Sequence, residues 1–385
     1  MPADSLAQGI LNLVRLTFIS TILCFPWGGA DALWTEAATR ATQQGHEVSA
    51  VVSPLVAAVH PCAALKAAGV RIMVRREHTG FHGHRAAWLR KLRGESAWLD
   101  KLVRTRPDLV VLSQGGLTDF LIEDGLLEAL KAGGIPYAII CQANEGLPIL
   151  DDATRARARA VLLGAQKLIF VSRHNLAAAE RQIATRLPNS CVVQNPVRAV
   201  PSPPAWPDES ELRLAVVGRM QAYDKGSDLL LEAVANALSK EAAWSLTFYG
   251  RGPSESLLRE LADHYGVSAR VRFAGFVEEK FAIWKENHLL VMPSRVEGCS
   301  LAMLEAMQHA RPVLMSRVGG VEDWVEHGKT GFVCAPQDAV SLAATLAEAW
   351  KLRALWRQMG QAAMQSVRAK LDPDPGATLL RQLVG

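Results

Sequence analysis

Two glutamates and a turn of small residues have a spacing that could bind one ligand. Glu297 and Glu305 flank the sequence Gly298-Cys299-Ser300, directly after an apolar segment that is typical of a buried strand. The turn is expected to lead into a short helix, where its backbone N–H groups would favour an anion. Amides for phosphate and carboxylates for hydroxyl groups are the partners that a sugar nucleotide needs.

Two cations follow another predicted strand, 212–217. Arg219 and Lys225 lie in the sequence GRMQAYDKGSDLL, which begins at Gly218 and runs into a helix. Arginine can bind phosphate oxygens with two parallel hydrogen bonds and lysine acts as a point charge, so the pair suits a diphosphate. The alternative is a pair of solvated loop charges. The sequence is not a P-loop, because a GxxxxGKS or GxxxxGKT pattern is absent.

Three further loops carry glycine where a strand is predicted to end. Gly250 lies in a Gly-x-Gly turn that lacks the third glycine of the dinucleotide fingerprint, since Glu255 takes that place. Val277 follows a second strand, and exposed backbone there could bond a base edge or form a simple turn. Gly28 and Gly29 follow the first strand and would allow a ligand close to the backbone, or only a tight turn.

These loops are positioned by alternating apolar and amphipathic segments, a pattern typical of parallel sheets covered by helices on both faces. Strands are predicted near 16–24, 47–52, 71–74, 108–113, 136–140, 167–171, 191–194, 212–217, 244–249, 271–274, 289–292, 311–315 and 331–334. Helices are predicted near 31–44, 84–104, 119–131, 152–163, 173–186, 226–239, 254–265, 300–308 and 338–368, with a short helix at the end.

The predicted fold is therefore α/β, with two Rossmann-like, doubly wound domains. The first domain would span 1–198, a proline-rich linker 199–211, the second domain 212–368 and a tail 369–385. Ligands of such sheets bind at the carboxyl ends of the strands, so the cleft between the two domains is the expected site.

Composition is that of an ordinary globular protein, because 49% of the 385 residues are apolar and 21% are charged. The six cysteines form no CxxC pair, which argues against a zinc site or a disulfide framework and for a reducing compartment. The apolar run 16–27 is too short to cross a bilayer and makes a poor signal peptide. A cytoplasmic protein is expected.

One stretch, 71–106, is strongly basic, with ten lysines and arginines against three acidic residues. It could make peripheral contact with an anionic membrane on the inner face of the cytoplasmic membrane, or meet another phosphate-bearing partner. The alternative is a solvated helix face. Nucleic acid is not an expected partner, because no nucleic-acid module accompanies the stretch.

Taken together, the motifs resemble the retaining glycosyltransferases of family 4 (glycosyl transferases group 1), which have the two-domain GT-B fold. The resemblance covers nearly the whole chain. It is strongest in VVGRM, DKGSDLL, FYGRGP, VRFAGFV, VMPSRVEGCSLAMLEAM and RPVLMSRVGGVEDWVEHGKTGFV, and it includes FPWGGADALW near the start. The order and spacing of these pieces are more specific than any one piece.

The resemblance implies a role for each matched position. Arg219 and Lys225 would hold the donor diphosphate, Glu297 the transferred sugar and Glu305 the ribose. These assignments make Glu297, Arg219 and Lys225 the expected catalytic residues. Amides of Cys299, Ser300 and Leu301, with Gly218, Gly250, Val277 and Gly298, would complete the donor site. Gly28 and Gly29 would lie near the diphosphate and the acceptor.

The first half departs from the family at one loop. The family often carries a histidine there, whereas this loop reads IICQANEG and offers Gln142, Asn144 and Glu145. His174 could point towards the cleft in its place, or could simply start a helix. Asp372 and Asp374 match the Asp-x-Asp metal motif of the other major glycosyltransferase fold, but prolines bracket them, so a structural turn is expected.

The resemblance implies a retaining, metal-independent glycosyltransferase of hexosyltransferase type that needs no cofactor. It would move sugar from a nucleotide-sugar to a glycan or lipid-linked acceptor in the synthesis of cell-surface polysaccharide or glycoconjugate. Two alternatives are a sugar-nucleotide epimerase on the same scaffold and a non-catalytic sugar-nucleotide-binding subunit of a glycan assembly complex.

Overall fold

The computed structural model describes residues 13–21, 28–75, 97–121, 125–146, 148–238 and 242–385. The strands are β1 (Arg15–Ser20), β2 (Glu47–Val52), β3 (Arg71–Val74), β4 (Leu109–Gln114), β5 (Tyr137–Cys141), β6 (Lys167–Phe170), β7 (Ser190–Val192), β8 (Leu212–Val217), β9 (Trp244–Tyr249), β10 (Val271–Gly275), β11 (Leu289–Met292), β12 (Val313–Ser316) and β13 (Gly331–Cys334).

The helices are α1 (Gly29–Gln43), α2 (Pro54–Ala57), α3 (His60–Ala67), α4 (Ala97–Thr105), α5 (Leu126–Ala132), α6 (Asp152–Gly164), α7 (Arg173–Ile183), α8 (Ala222–Lys225), α9 (Ser227–Ala237), α10 (Glu255–His264), α11 (Lys280–Glu286), α12 (Leu301–Gln308), α13 (Val321–Trp324), α14 (Ala339–Lys351), α15 (Trp356–Lys370) and α16 (Pro375–Val384). Short 3-10 turns lie at 119–121, 268–270 and 353–355.

Two sheets organise these elements, and both follow the same winding order. The first has the order β3-β2-β1-β4-β5-β6-β7 and the second β10-β9-β8-β11-β12-β13. Every strand pair of the second sheet is parallel. This is the doubly wound Rossmann order, in which the direction of winding reverses beside the first strand of each sheet. The prediction of an α/β fold with two Rossmann-like sheets is confirmed.

The strands are apolar because the sheets are covered. All residues of β4, β11, β12 and β13 are buried, as expected of parallel strands with helices on both faces. The second sheet packs into one apolar cluster that includes Phe248, Phe332 and Trp356. The strand ends are therefore fixed, and the loops that leave them have defined positions.

The described residues group by their own contacts into two compact units. The first comprises 1–140, 160–169 and 375–385, and the second 141–159 and 170–374. The four-part domain division proposed from the sequence stays a prediction.

Several helices differ from their predicted bounds. The stretch predicted as one helix over 338–368 is two helices, because the chain turns at 353–355 and buries Trp356, whose indole N–H donates to Ala349 O at 2.9 Å. Helix α5 begins at 126 rather than 119, because Gly125 adopts a left-handed conformation with φ 79°. The short helices α2, α3, α11 and α13 were not predicted, since few residues leave little periodicity to detect.

Asp151 and the Asp372–Asp374 pair both have structural roles, and the turn at Asp372 and Asp374 was predicted. Asp151 caps α6 by accepting from Thr154 N at 2.8 Å. Asp374 N donates to the Asp372 carboxylate at 2.9 Å, so this Asp-x-Asp pair forms a turn.

One buried cation fastens the predicted linker to the second unit. Arg311 is 1% exposed and donates to the carbonyls of Asn287 at 2.8 Å, His309 at 2.9 Å and Ala205 at 2.9 Å. Its guanidinium also lies 4.9 Å from the centre of the Trp206 ring. Burial lowers the pKa of Arg311 to about 10. Carbonyl oxygens thus solvate this charge in place of water.

Among the described residues, no helix is long and apolar enough to cross a membrane. Most of the basic stretch, 76–96, and residues 22–27 of the first apolar run lie outside the described residues.

Candidate functional site

The reversal point of the second sheet lies between β8 and β11, which are hydrogen-bonded neighbours. The loops that leave their carboxyl ends are 218–226 and 293–300. These loops carry most of the donor-site residues predicted from the sequence. Ligands of open α/β sheets bind at such a reversal point, so the topology alone marks this edge.

A bidentate ion pair fastens the two loops to each other. Arg295 donates to both carboxylate oxygens of Asp228, at 2.8 and 2.7 Å, and to Ala222 O at 2.7 Å. Its own backbone N–H donates to Asp224 O at 2.7 Å. Burial alone would raise the pKa of Asp228, but the Arg295 hydrogen bonds and charge lower it overall. The loops are therefore preorganised by charge-assisted bonds.

Two glycines allow these loops to approach closely. At Gly226, where φ is +61°, a Cβ atom would lie 2.0 Å from Pro293 O. At Gly250, a Cβ atom would lie 1.9 Å from Gly218 O. Gly218 also donates to Tyr249 O at 2.9 Å. The predicted donor-site glycine Gly250 thus has a packing reason for its identity, whereas Gly218 has a φ of +155°, a backbone conformation that favours glycine.

Lys225 and Glu297 meet directly. Lys225 Nζ lies 2.6 Å from Glu297 Oε1, and the Ser294 hydroxyl donates to the same oxygen at 2.8 Å. The two side chains are 20% and 9% exposed. Lys225 and Glu297 are 72 residues apart in the sequence, and both were predicted to belong to the donor site. The structure brings their side chains together.

Arg219 lies on the same loop as Lys225 and remains one-third exposed. Its Nη2 lies 3.4 Å from the Asp224 carboxylate. The two cations that were predicted to bind a diphosphate thus lie on one short loop, and each retains some access to solvent.

The small-residue turn does lead into a helix. Ser300 is the N-cap of α12, and its hydroxyl accepts from Met303 N at 3.4 Å. Within the described part of the chain, the amides of Gly298, Cys299 and Ser300 make no backbone hydrogen bond. Burial raises the pKa of the Cys299 thiol to about 12, so this residue is no nucleophile near neutral pH. Unused amides before Leu301 suit an anion or hydroxyl group.

Glu305 lies farther along the same helix, where burial raises the pKa of its carboxyl and the charge of Lys280 opposes that rise. Lys280 also lies 3.5 Å from Val277 O. Lys280 thus links two residues that were predicted to contact the nucleoside, although sequence reasoning did not single it out.

Gly298 packs against the loop that follows β5. A Cβ atom on Gly298 would lie 1.7 Å from Gln142 O. The Gln142 and Asn144 side chains are 4% and 5% exposed, and Gln142 Oε1 accepts from Asn195 at 2.9 Å. Asn144 Oδ1 accepts from Gly146 N at 3.1 Å. Both predicted cleft residues are buried and shape the loop that supports the small-residue turn.

Glu145 was named with its loop in the sequence, but sequence reasoning gave it no role in the site. Its Oε1 accepts from Gly319 N at 2.9 Å and from Glu297 N at 3.4 Å, and its Oε2 lies 2.9 Å from His174 Nε2. Burial raises the pKa of the Glu145 carboxyl, while His174 and the two amides oppose that rise. The predicted site residue His174 is therefore the second residue of α7 and also a partner of this carboxylate.

Gly28 and Gly29 belong to the first unit, where they begin α1. Gly28 is the N-cap residue, and its N–H donates to the Asp31 carboxylate at 3.1 Å. Asp31 is fully buried and also accepts from Trp34 Nε1 at 3.1 Å. Burial raises the pKa of Asp31, and these hydrogen bonds oppose the rise. The Asp31 carboxylate thus fixes the glycine turn, a role that sequence reasoning missed.

The second half of the chain matches a known family. Residues 211–351 match the family described as Glycosyl transferases group 1. The matched segment contains every predicted donor-site residue from Gly218 to Glu305.

Individual relatives match part of the chain. Glycogen synthase of Mycobacterium tuberculosis is 29% identical over 179 residues, which are 46% of this chain and 43% of that protein. Glycogen synthase 2 of Bradyrhizobium diazoefficiens is 32% identical over 246 residues, 58% of this chain and 48% of that protein. The chain thus spans a little under half the length of these curated relatives.

The fold extends beyond the matched segment. The structure of Anabaena HepE in complex with UDP-glucose is similar over 96% of this chain and 98% of that chain, with a TM-score of 0.72 and 17% sequence identity. The chain therefore has the GT-B fold of this structure, as predicted.

Proposed function

We propose that this protein is a retaining, metal-independent glycosyltransferase that moves a sugar from a nucleotide-sugar donor to a glycan or lipid-linked acceptor. The observation that carries the proposal is the Lys225–Glu297 pair at 2.6 Å beside the unused amides of 298–300. The family match over 211–351 supports it. So does the GT-B fold shared with a HepE structure that holds UDP-glucose.

Different residues bind different parts of the donor. Arg219 and Lys225 bind the diphosphate, the amides of 298–300 bind phosphate and sugar oxygens, and Glu297 orients the transferred sugar. Glu305 accepts hydrogen bonds from the ribose hydroxyls. Glu297 and Glu305 thus bind different parts of one donor and do not form a general acid/base pair.

The chemistry is cleavage of the bond between the anomeric carbon and the phosphate oxygen. Negative charge grows on the leaving diphosphate, and fixed cations and amides stabilise that charge. The acceptor hydroxyl attacks on the face that the phosphate leaves, its oxygen bonds to the anomeric carbon, and the phosphate oxygen takes its proton. This route retains the anomeric configuration and requires no metal or other cofactor.

A donor screen followed by turnover tests this proposal. UDP-, ADP- and GDP-sugars are compared by thermal shift, because a ligand of the folded state raises stability by mass action. The best donor is then incubated with excess EDTA and a panel of glycan and lipid-linked acceptors, and the anomeric configuration of the product is read by NMR. We expect EDTA-resistant transfer with retention. Loss of transfer in EDTA, or an inverted product, would contradict the mechanism.

The same experiment distinguishes the proposed transferase from the two alternative functions. Isomerised donor without acceptor would identify an epimerase. Donor binding without hydrolysis or transfer across the acceptor panel would identify a non-catalytic subunit.

We further propose that the protein works in the cytoplasm at the inner face of the membrane. The basic composition of the stretch 71–106 supports this placement. Sedimentation with vesicles at low salt should show more binding to anionic than to neutral lipid, and the difference should fall as salt screens the charges. Equal binding to both would refute it.

A further inference from the structure

We propose that Glu145 is a positioning residue for transfer, because its carboxylate holds the backbone of Glu297 so that the Glu297 side chain meets Lys225 and the donor. This inference rests on the proposed function and adds a residue outside the matched family segment.

The contacts of Glu145 use both carboxylate oxygens. Oε1 accepts from the amides of Gly319 and Glu297, at 2.9 and 3.4 Å, and Oε2 lies 2.9 Å from His174 Nε2. The side chain is 12% exposed. A shielded carboxylate that accepts several N–H bonds is a stronger anchor than a neutral amide would be.

These bonds hold Glu297 at both ends of its backbone. Its N–H donates to Glu145, while its carbonyl accepts from Asn175 Nδ2 at 3.3 Å. The neighbouring turn is fastened too, since Gly320 N donates to Gly298 O at 2.7 Å. The residue whose carboxylate meets Lys225 therefore has little freedom to turn.

In this arrangement, the residue that holds Glu297 in place differs from the residues proposed to bind the diphosphate. Glu145 reaches Glu297 through its amide, not through its carboxylate. Loss of the Glu145 charge should therefore disturb the geometry of Glu297 more than the affinity for the diphosphate. A misplacement of about 1 Å can lower turnover by about 100-fold.

Glu145→Gln tests this role, and Glu180→Gln is its matched control. Glu180 is 16% exposed, accepts from Leu187 N at 2.9 Å and pairs with Arg186 at 2.6 Å, but has no contact with Glu297. Hydrogen exchange by mass spectrometry follows peptides covering 293–300 and 316–322. UDP-glucose turnover gives kcat and KM.

For Glu145→Gln, we expect at least fivefold faster exchange in both peptides. We also expect kcat to fall about 10–100-fold and KM to change less than threefold. The control should stay within twofold of wild type in all three measurements. Glu145→Asp keeps the charge on a shorter side chain and should recover part of kcat; it also replaces the glutamine variant if that variant fails to fold.

Unchanged exchange, an equal loss of kcat in Glu180→Gln, or a rise in KM with unchanged kcat would each overturn the positioning role. A wild-type chain that turns over no nucleotide sugar overturns the proposed function instead, and the role in transfer with it. The exchange data then still report whether Glu145 holds the backbone of Glu297.

Discussion

Replacing Lys225 by methionine should both destabilise the protein and slow transfer. Methionine keeps most of the apolar stem but removes the ammonium group 2.6 Å from Glu297 Oε1. Glu297 is only 9% exposed, so its charge would keep little solvation beyond the Ser294 hydroxyl at 2.8 Å. Breaking a fully buried pair costs about 3–5 kcal/mol, and the 20% exposure of Lys225 reduces this to about 2–3 kcal/mol.

Turnover should fall for a separate reason. In the proposed mechanism, Lys225 is one of the fixed cations that stabilise the charge that grows on the leaving diphosphate, and the substitution removes it. The loss of one such donor raises the barrier by about 3–4 kcal/mol, or about 100- to 1,000-fold in kcat. The stability effect and the rate effect can therefore be separated by a second substitution.

A double-mutant cycle with Glu297→Gln makes that separation. Urea unfolding gives the free energy of unfolding for each variant, and UDP-glucose turnover gives kcat. We expect Lys225→Met/Glu297→Gln to recover at least half of the lost stability, because no buried charge remains unpaired, and to recover none of the lost activity. A Lys225→Met variant with wild-type stability, or a double variant destabilised by the sum of the single effects, would refute the argument.

Three further predictions concern stability, and urea unfolding measures each of them. Gly298→Ala should lower the free energy of unfolding by about 1–3 kcal/mol, because its Cβ would lie 1.7 Å from Gln142 O; wild-type stability would mean that this loop is not packed as described. His288 is buried with its pKa lowered to about 4, so the unfolded chain takes up the proton first as pH falls. Unfolding free energy should therefore decrease from pH 6.5 to 4 by up to about 3 kcal/mol, and His288→Gln should flatten that slope. Asp228→Asn should cost about 1.5–3 kcal/mol at pH 7. Because the folded pKa of Asp228 lies below its unfolded value, this cost should shrink as pH falls below about 4, and a cost that persisted there would exclude the Arg295 ion pair as its source.

Much of the fold could be predicted because its signals are local. Apolar runs predicted the strands of the described residues to within a few residues. What could not be predicted depends on tertiary packing. The break before Trp356 exists because one indole is buried against α14, and no periodic pattern in the sequence reports such a contact.

The candidate site also has residues that the sequence could predict and residues whose roles depend on tertiary packing. Arg219, Lys225 and Glu297 are polar residues at strand ends, so their type and position were enough to suggest them. Glu145 was named with its loop but given no role, because its importance lies in which amides it reaches, and those amides belong to residues more than 150 positions away. Its place in a polar loop after a strand was visible, but its partners were not.

The carbonyl oxygens that accept from Arg311 determine at which residue a fragment of the second half of the chain can begin. A truncated chain that begins at residue 211, where the family match starts, would lack Ala205 and Trp206. Arg311 would then lose one carbonyl acceptor and the ring beside its guanidinium while staying buried. A fragment made to study the donor site alone should therefore begin before Ala205, so that the buried guanidinium keeps the carbonyl and the ring that solvate it.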